Sequence, residues 1–200
     1  MKVPVRKLQI AGGASFTDTL IWTEGPYVFK TISAVTLGWP TVITAAAHGL
    51  PAGVVVPAWI QNARGATILN TTVDTPVYIE RVTDDTLRLV NFNSGGQSAY
   101  IVNSATIAFL LPKDLTGFTA RGPFRKGGVT GEVLTTPTYT ITAALGKIVL
   151  SMTPAQTRAL LDGGTANTSG IAHVELVSGS DVFRPLDYAW VCTPEATVES

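Results

Sequence analysis

Apolar and polar residues alternate in short runs along nearly the whole chain, the period-two signature of strands with one face buried. The clearest runs cover residues 5–10, 19–22, 40–44, 54–60, 76–82, 86–92, 99–103 and 105–111. Others cover 117–125, 131–142, 146–151, 171–178 and 181–191. Turn chemistry separates them. Thr83-Asp84-Asp85-Thr86, Lys126-Gly127-Gly128 and Ser178-Gly179-Ser180-Asp181 each predict a hairpin tip. One segment follows helical rules instead. Thr153 is placed as an N-cap, Pro154 at the first helical position, Gln156 as a capping-box partner and Gly163-Gly164 as a stop. A helix of about two turns does not hold alone, so Leu160 and Leu161 must pack it onto a sheet. The pattern predicts an all-β protein with one short helix.

Charge changes that picture in two ways. Lys+Arg and Asp+Glu balance at 14 each, which removes the basic excess that nucleic acid or an anionic membrane surface would require. Only 14% of residues are charged, against about 25% in an ordinary soluble domain, and the mean hydropathy is positive. A chain of this size cannot hide all its apolar surface by itself, so part of its exterior is expected to be covered by other protein chains. The apolar stretch around Gly53–Val56 falls well short of the ~20 residues that span a bilayer. The basic N-terminus lacks the apolar run and cleavage site of a secretory signal, and Cys192 is the only cysteine, so no intrachain disulfide is possible.

The charges are also unevenly spread. Residues 31–111 carry three basic and four acidic residues, seven of the chain's 28. Gly38-Trp39-Pro40, Leu50-Pro51-Ala52-Gly53 and Leu111-Pro112 punctuate this charge-poor region. The organisation predicted is a β-sandwich of residues 1–30 plus 112–200, interrupted by an inserted small β-barrel or sandwich domain of residues 31–111.

No chemical constellation emerges. His48 and His173 fall in different predicted domains, with no Cys or carboxylate set at metal-ligand spacing. His48 reads as a turn residue satisfied by backbone, and Asp84-Asp85 as hairpin tip rather than calcium loop. The glycine pairs precede no Lys-Ser/Thr helix, and no Gly-x-Ser-x-Gly elbow occurs. Cys192 reads as a small buried hydrophobe. The chain is therefore expected not to be an enzyme, with no catalytic residue, metal, cofactor or small-molecule substrate. Among the tryptophans, Trp22 and Trp190 are predicted core residues. Trp39, Pro40 and Trp59 are the candidate protein-interface residues, because tryptophan is enriched at interface hot spots.

Two stretches carry a resemblance. Gly13-Ala14-Ser15-Phe16-Thr17-Asp18-Thr19-Leu20-Ile21-Trp22, then Asp114-Leu115-Thr116-Gly117-Phe118-Thr119-Ala120-Arg121, Gly146-Lys147-Ile148-Val149-Leu150 and His173-Val174-Glu175-Leu176-Val177, resemble the N-terminal β-sandwich module of bacteriophage baseplate upper proteins. The central Thr44-Ala45-Ala46-Ala47-His48-Gly49-Leu50 and Val82-Thr83-Asp84-Asp85-Thr86-Leu87-Arg88-Leu89 resemble the small β-barrel repeats of phage tail fibres, although Leu87 and Arg88 stand where those repeats place an aromatic. The resemblance implies a structural component of a tailed-phage particle, a tail, baseplate or tail-fibre-attachment protein. It would be assembled in the host cytoplasm and located in the virion, with other virion proteins and copies of itself as partners. The alternatives are a capsid decoration or head-fibre base protein, and a carbohydrate-binding module in host adhesion. Docking through sheet edges and loops is the mechanism expected, with the arm before Leu8 and the tail after Pro194 ordering on assembly.

Overall fold

A computed structural model describes residues 5–194. It is an all-β protein, with a single short α-helix among the described residues. The chain divides into two compact units, one of Met1–Leu20, Leu115–Ala143 and Lys147–Ser200, the other of Ile21–Asp114 with Ala144–Gly146.

The first unit is a sandwich. One sheet runs in the order β1 (Val5–Gly12), β16 (Asp181–Pro194), β15 (Thr168–Ser178), β11 (Phe124–Lys126), β12 (Val133–Thr135), with β10 (Thr119–Arg121) also pairing β15. The other is β13 (Thr138–Thr142), β14 (Lys147–Met152), β2 (Phe16–Ile21). Leu186, Tyr188, Trp190 and Cys192 alternate inward along β16, and Ala172, Val174 and Leu176 do so along β15. Leu150 and Met152 of β14 close the same core from the opposite sheet. Burying such side chains is worth about 1.5–3 kcal/mol each before entropy is counted. The helix α1 is five residues, Pro154–Arg158, shorter than the two turns predicted. Its capping box is present: Gln156 N–H donates to Thr153 Oγ1 (3.2 Å) and Thr153 N–H to Gln156 Oε1 (2.8 Å). Leu160 and Leu161 are buried just after it.

The second unit is a barrel. Its sheet order is β3 (Val28–Ile32), β9 (Ala105–Phe109), β6 (Val55–Gln61), β7 (Val77–Arg81), β8 (Thr86–Val90), β5 (Thr41–Thr44), β4 (Ala34–Thr36). The two ends of that order, β3 and β4, are one stretch of chain interrupted only at Ser33. The sheet therefore closes on itself through this continuous stretch, with β3 laddered to β9 and β4 to β5, each on one side only. Ile32, Ile43, Val56, Ile60, Ile79, Leu87, Leu89, Ile107 and Phe109 fill the interior, all at or near full burial. Where the chain enters and leaves this unit its two limbs lie together: Lys113 N–H donates to Trp22 O and Trp22 N–H to Gly146 O, both at 2.8 Å.

The boundaries expected at 30/31 and 111/112 differ from this division. Residues 21–30 and 112–114 belong with the barrel, because β3 is laddered to β9 from Val28↔Phe109 to Ile32↔Ala105. The run at 99–103 is not a strand. Tyr100 is instead pinned by its hydroxyl, which donates to Ile32 O (2.8 Å) and accepts from Ala105 N–H (3.0 Å), while Ile101 N–H turns to Arg64 O. The run at 131–142 breaks into β12 and β13 around Pro137. Of the arm before Leu8, Val5, Arg6 and Lys7 open β1 in parallel register with β16. Residues 1–4 and the tail after Pro194 lie outside the described residues.

A candidate docking face on the barrel

Closure of the barrel sorts its side chains strictly into inside and outside. In β6, residues 56, 58 and 60 are buried, so Val55, Pro57, Trp59 and Gln61 point out. Cross-strand register then assembles an aromatic surface. Phe29 of β3 and Trp59 of β6 both stand opposite Ala108 of β9. Ala108 points outward yet is only 2% exposed, as expected for a small residue flanked by two large rings. Pro57 stands opposite Tyr78, and Tyr78 opposite Val90. Tyr27, just before β3, packs edge-on against Trp59 with ring centroids 4.6 Å apart and an interplanar angle of 75°. Its ring also meets Phe29 at 6.4 Å and 60°.

Phe29 is 62% exposed and Tyr78 52%. The face has a polar border, with the Glu80–Arg88 ion pair beside Val55 and Gln61 at the other end of β6. An apolar, aromatic centre with a polar rim is the anatomy of a protein interface, and isolated exposed apolar residues do not usually cluster so.

The sequence-predicted residues are placed unequally. Trp59 lies at the middle of this face, half-buried by its aromatic neighbour. Trp39 and Pro40 are exposed, Trp39 at 64%, but on the turn joining β4 to β5, three strands round the sheet from β6. That turn is fixed from below: Thr41 Oγ1 and Ser94 Oγ lie 2.8 Å apart, and Gly38 N–H donates to Ser94 Oγ at 3.1 Å. Trp190 is a core residue; Trp22 is half-buried rather than core. Tyr27, Phe29, Pro57 and Tyr78 were not anticipated. A signal was present for Pro57 alone, in residues 54–60, which are apolar on both registers of a strand.

The histidines, the Asp84-Asp85 pair and Cys192 all have structural partners. His48 is 1% exposed. Its Nδ1 accepts from Leu50 N–H at 3.0 Å, so Nε2 carries the proton and donates to Thr83 O at 2.9 Å. Asp85 Oδ1 accepts from Ala47 N–H at 2.8 Å, and Asp84 pairs with Arg81. The histidine thus fastens the 45–50 loop to the β7–β8 turn. His173 belongs to the sandwich, with Nδ1 2.5 Å from Asp187 Oδ1. Cys192 is fully buried, its Sγ donating to Thr157 O at 3.5 Å, and burial pushes its thiol pKa up. No group of three or more His, Cys, Asp or Glu gathers to hold a metal among the described residues. Among the described residues no helix is long and apolar enough to cross a membrane.

No protein-family model matches the chain, and no curated protein is a detectable relative of it.

Proposed function

We propose that this chain is a structural component of a tailed-phage particle, a tail, baseplate or tail-fibre-attachment protein that docks neighbouring subunits. The observation that carries the docking reading is the aromatic face of Tyr27, Phe29, Trp59 and Tyr78 on the barrel, in a chain with few charges. The phage setting is carried by the resemblance of its motifs to baseplate and tail-fibre modules. The aromatic rings stand on the outside of the barrel's strands, so contact at this face is made by side chains rather than strand addition. In the sandwich β1 ends its sheet, paired only with β16, and there an added strand has a template. Repetition around a symmetric particle would make individually weak contacts collectively strong.

A glycan-binding reading is favoured by the same exposed rings. Against it, Tyr27 is steeply inclined to both Trp59 and Phe29, so these three rings do not form one coplanar stacking platform. The test is location: purified particles are cross-linked and the direct neighbours of this chain identified. Neighbouring tail or baseplate subunits are expected, and capsid neighbours would move the assignment to a head decoration protein. Recovery only as a free monomer outside particles would overturn the proposal, as would glycan binding abolished by Trp59→Ala without any protein neighbour.

A further inference from the structure

A second surface, on the sandwich, has the opposite character. A groove of about 710 Å³ opens on the outer face of the larger sheet, and three of the chain's arginines converge on it. Its organiser is Glu175. Arg121 Nε donates to Glu175 Oε2 at 3.0 Å and Arg184 Nη2 to Glu175 Oε1 at 3.2 Å, so one carboxylate holds two guanidinium groups. Arg121 and Arg184 remain 63% and 47% exposed at their side chains. Arg125 adds a third guanidinium, which donates to Gly131 O at 2.9 Å and has no acidic partner among the described residues. His173, oriented by Asp187, stands beside Glu175 on the same strand face.

The arrangement depends on a β-bulge. Val174 pairs with Leu186 and Leu176 with Phe183, so β15 advances two residues while β16 advances three. Without the extra residue, strict alternation from Leu186 would send Arg184 into the core. The bulge turns it outward beside Glu175, and re-aiming a side chain is a recurrent use of bulges. Burial pushes the Glu175 carboxyl up, but the hydrogen bonds and charges of Arg121 and Arg184 outweigh that and hold it below its ordinary value. It stays ionised and keeps both forks in place.

Three guanidinium groups, of Arg121, Arg125 and Arg184, face two carboxylates, of Glu175 and of Asp187 on His173, so the groove keeps a positive excess in a chain of zero net charge. Val129 and Val133 supply an exposed apolar wall. We infer that this groove receives an acidic segment of a neighbouring protein, its carboxylates on the free N–H groups of Arg121, Arg184 and Arg125 and its apolar residues against Val129 and Val133. Guanidinium forks held at two sides of an open channel suit carboxylates spaced along a chain. The inference rests on the docking reading only in taking a protein as occupant.

The test uses the full chain and a labelled octapeptide alternating glutamate and valine. The glutamine–valine version and inorganic phosphate serve as comparisons. Binding of the glutamate peptide is expected to weaken with salt, to fall about tenfold or more in Arg121→Ala/Arg184→Ala, and to be unchanged in Phe29→Ser. Arg125→Ala provides the same reading should the double variant fold poorly. Equal binding of the glutamine peptide, competition by phosphate at equal concentration, unaltered affinity in folded arginine variants, or no binding at low salt would each overturn it. None of these outcomes bears on the barrel face, which particle cross-linking reads separately.

Discussion

Tyr27 and Trp59 meet edge to face on the outside of the barrel, 4.6 Å between ring centroids, although one precedes β3 and the other lies at the middle of β6. Edge-to-face pairs contribute roughly 0.5–1.5 kcal/mol beyond burial, so the face is held in shape before any partner arrives. Phe29 beside them is mostly exposed and does not hold the barrel together. Phe29→Ser is therefore expected to leave urea unfolding of the isolated protein within about 0.5 kcal/mol of the parent. The same variant should reduce cross-linking to neighbouring subunits in particles severalfold. A large loss of stability with intact cross-linking would mean that the ring serves the fold and not docking.

His48 gives the barrel a different kind of prediction. It is fully buried and bonded at both ring nitrogens to backbone groups of two separate loops. His48→Ala leaves Leu50 N–H and Thr83 O without that partner and opens a cavity. The expected cost is about 2–4 kcal/mol, measured by urea denaturation. Retention of parental stability would show that water replaces the imidazole.

These two residues also show how far the sequence could be read. The His-Gly-Leu turn was legible because a lone histidine without ligand-spaced partners is most simply satisfied by nearby backbone, and it is. Strand existence was legible wherever alternation was clean, as at Tyr78–Arg81 and Leu87–Val90. The pairing of β3 with β9 was not, because the Gly25-Pro26 turn looks like a domain end and alternation carries no information about a partner some 75 residues away. The parallel pairing of the first and last described strands, Val5↔Asp187 onward, is hidden for the same reason. Trp59 was singled out by residue type alone. Its companions Tyr27 and Phe29 were missed because the sheet order that brings them together is a tertiary fact. The Arg184–Glu175 pairing depends on a one-residue bulge that leaves no mark on the hydrophobic pattern.

Gly170 marks a close approach within the sandwich. A Cβ built there would lie 1.8 Å from Arg125 O and 2.6 Å from Trp190 Cζ2, on the ladder between β15 and β11. Neither neighbour yields easily, one being backbone and the other a buried ring. Gly170→Ala is expected to destabilise by about 3 kcal/mol or more. Gly128→Ala, where the added Cβ meets nothing within 4 Å, should change stability by no more than about 0.5 kcal/mol. Differential scanning calorimetry of the pair reads the contrast, and similar melting for both would refute the packing argument.

The Arg121–Glu175–Arg184 cluster predicts a pH dependence whose sign follows from its charges. The folded-state pKa of Glu175 lies below its ordinary 4.5, so the folded protein binds the proton less readily than the unfolded chain does. Its contribution to stability is then fully present above about pH 4.5 and is lost as the pH falls through the lower folded value. Glu175→Gln removes the ionisation but preserves the shape. The parent should exceed the variant in urea stability by a constant margin from pH 7 down to about 5. That margin should shrink below pH 4.5 and close once the carboxyl is protonated in both states. A margin that stays constant to pH 3 would show that the carboxylate's charge is not what holds the two arginines to the fold. In that event the groove would owe its shape to the bulge alone, and its basic character would survive the loss of Glu175.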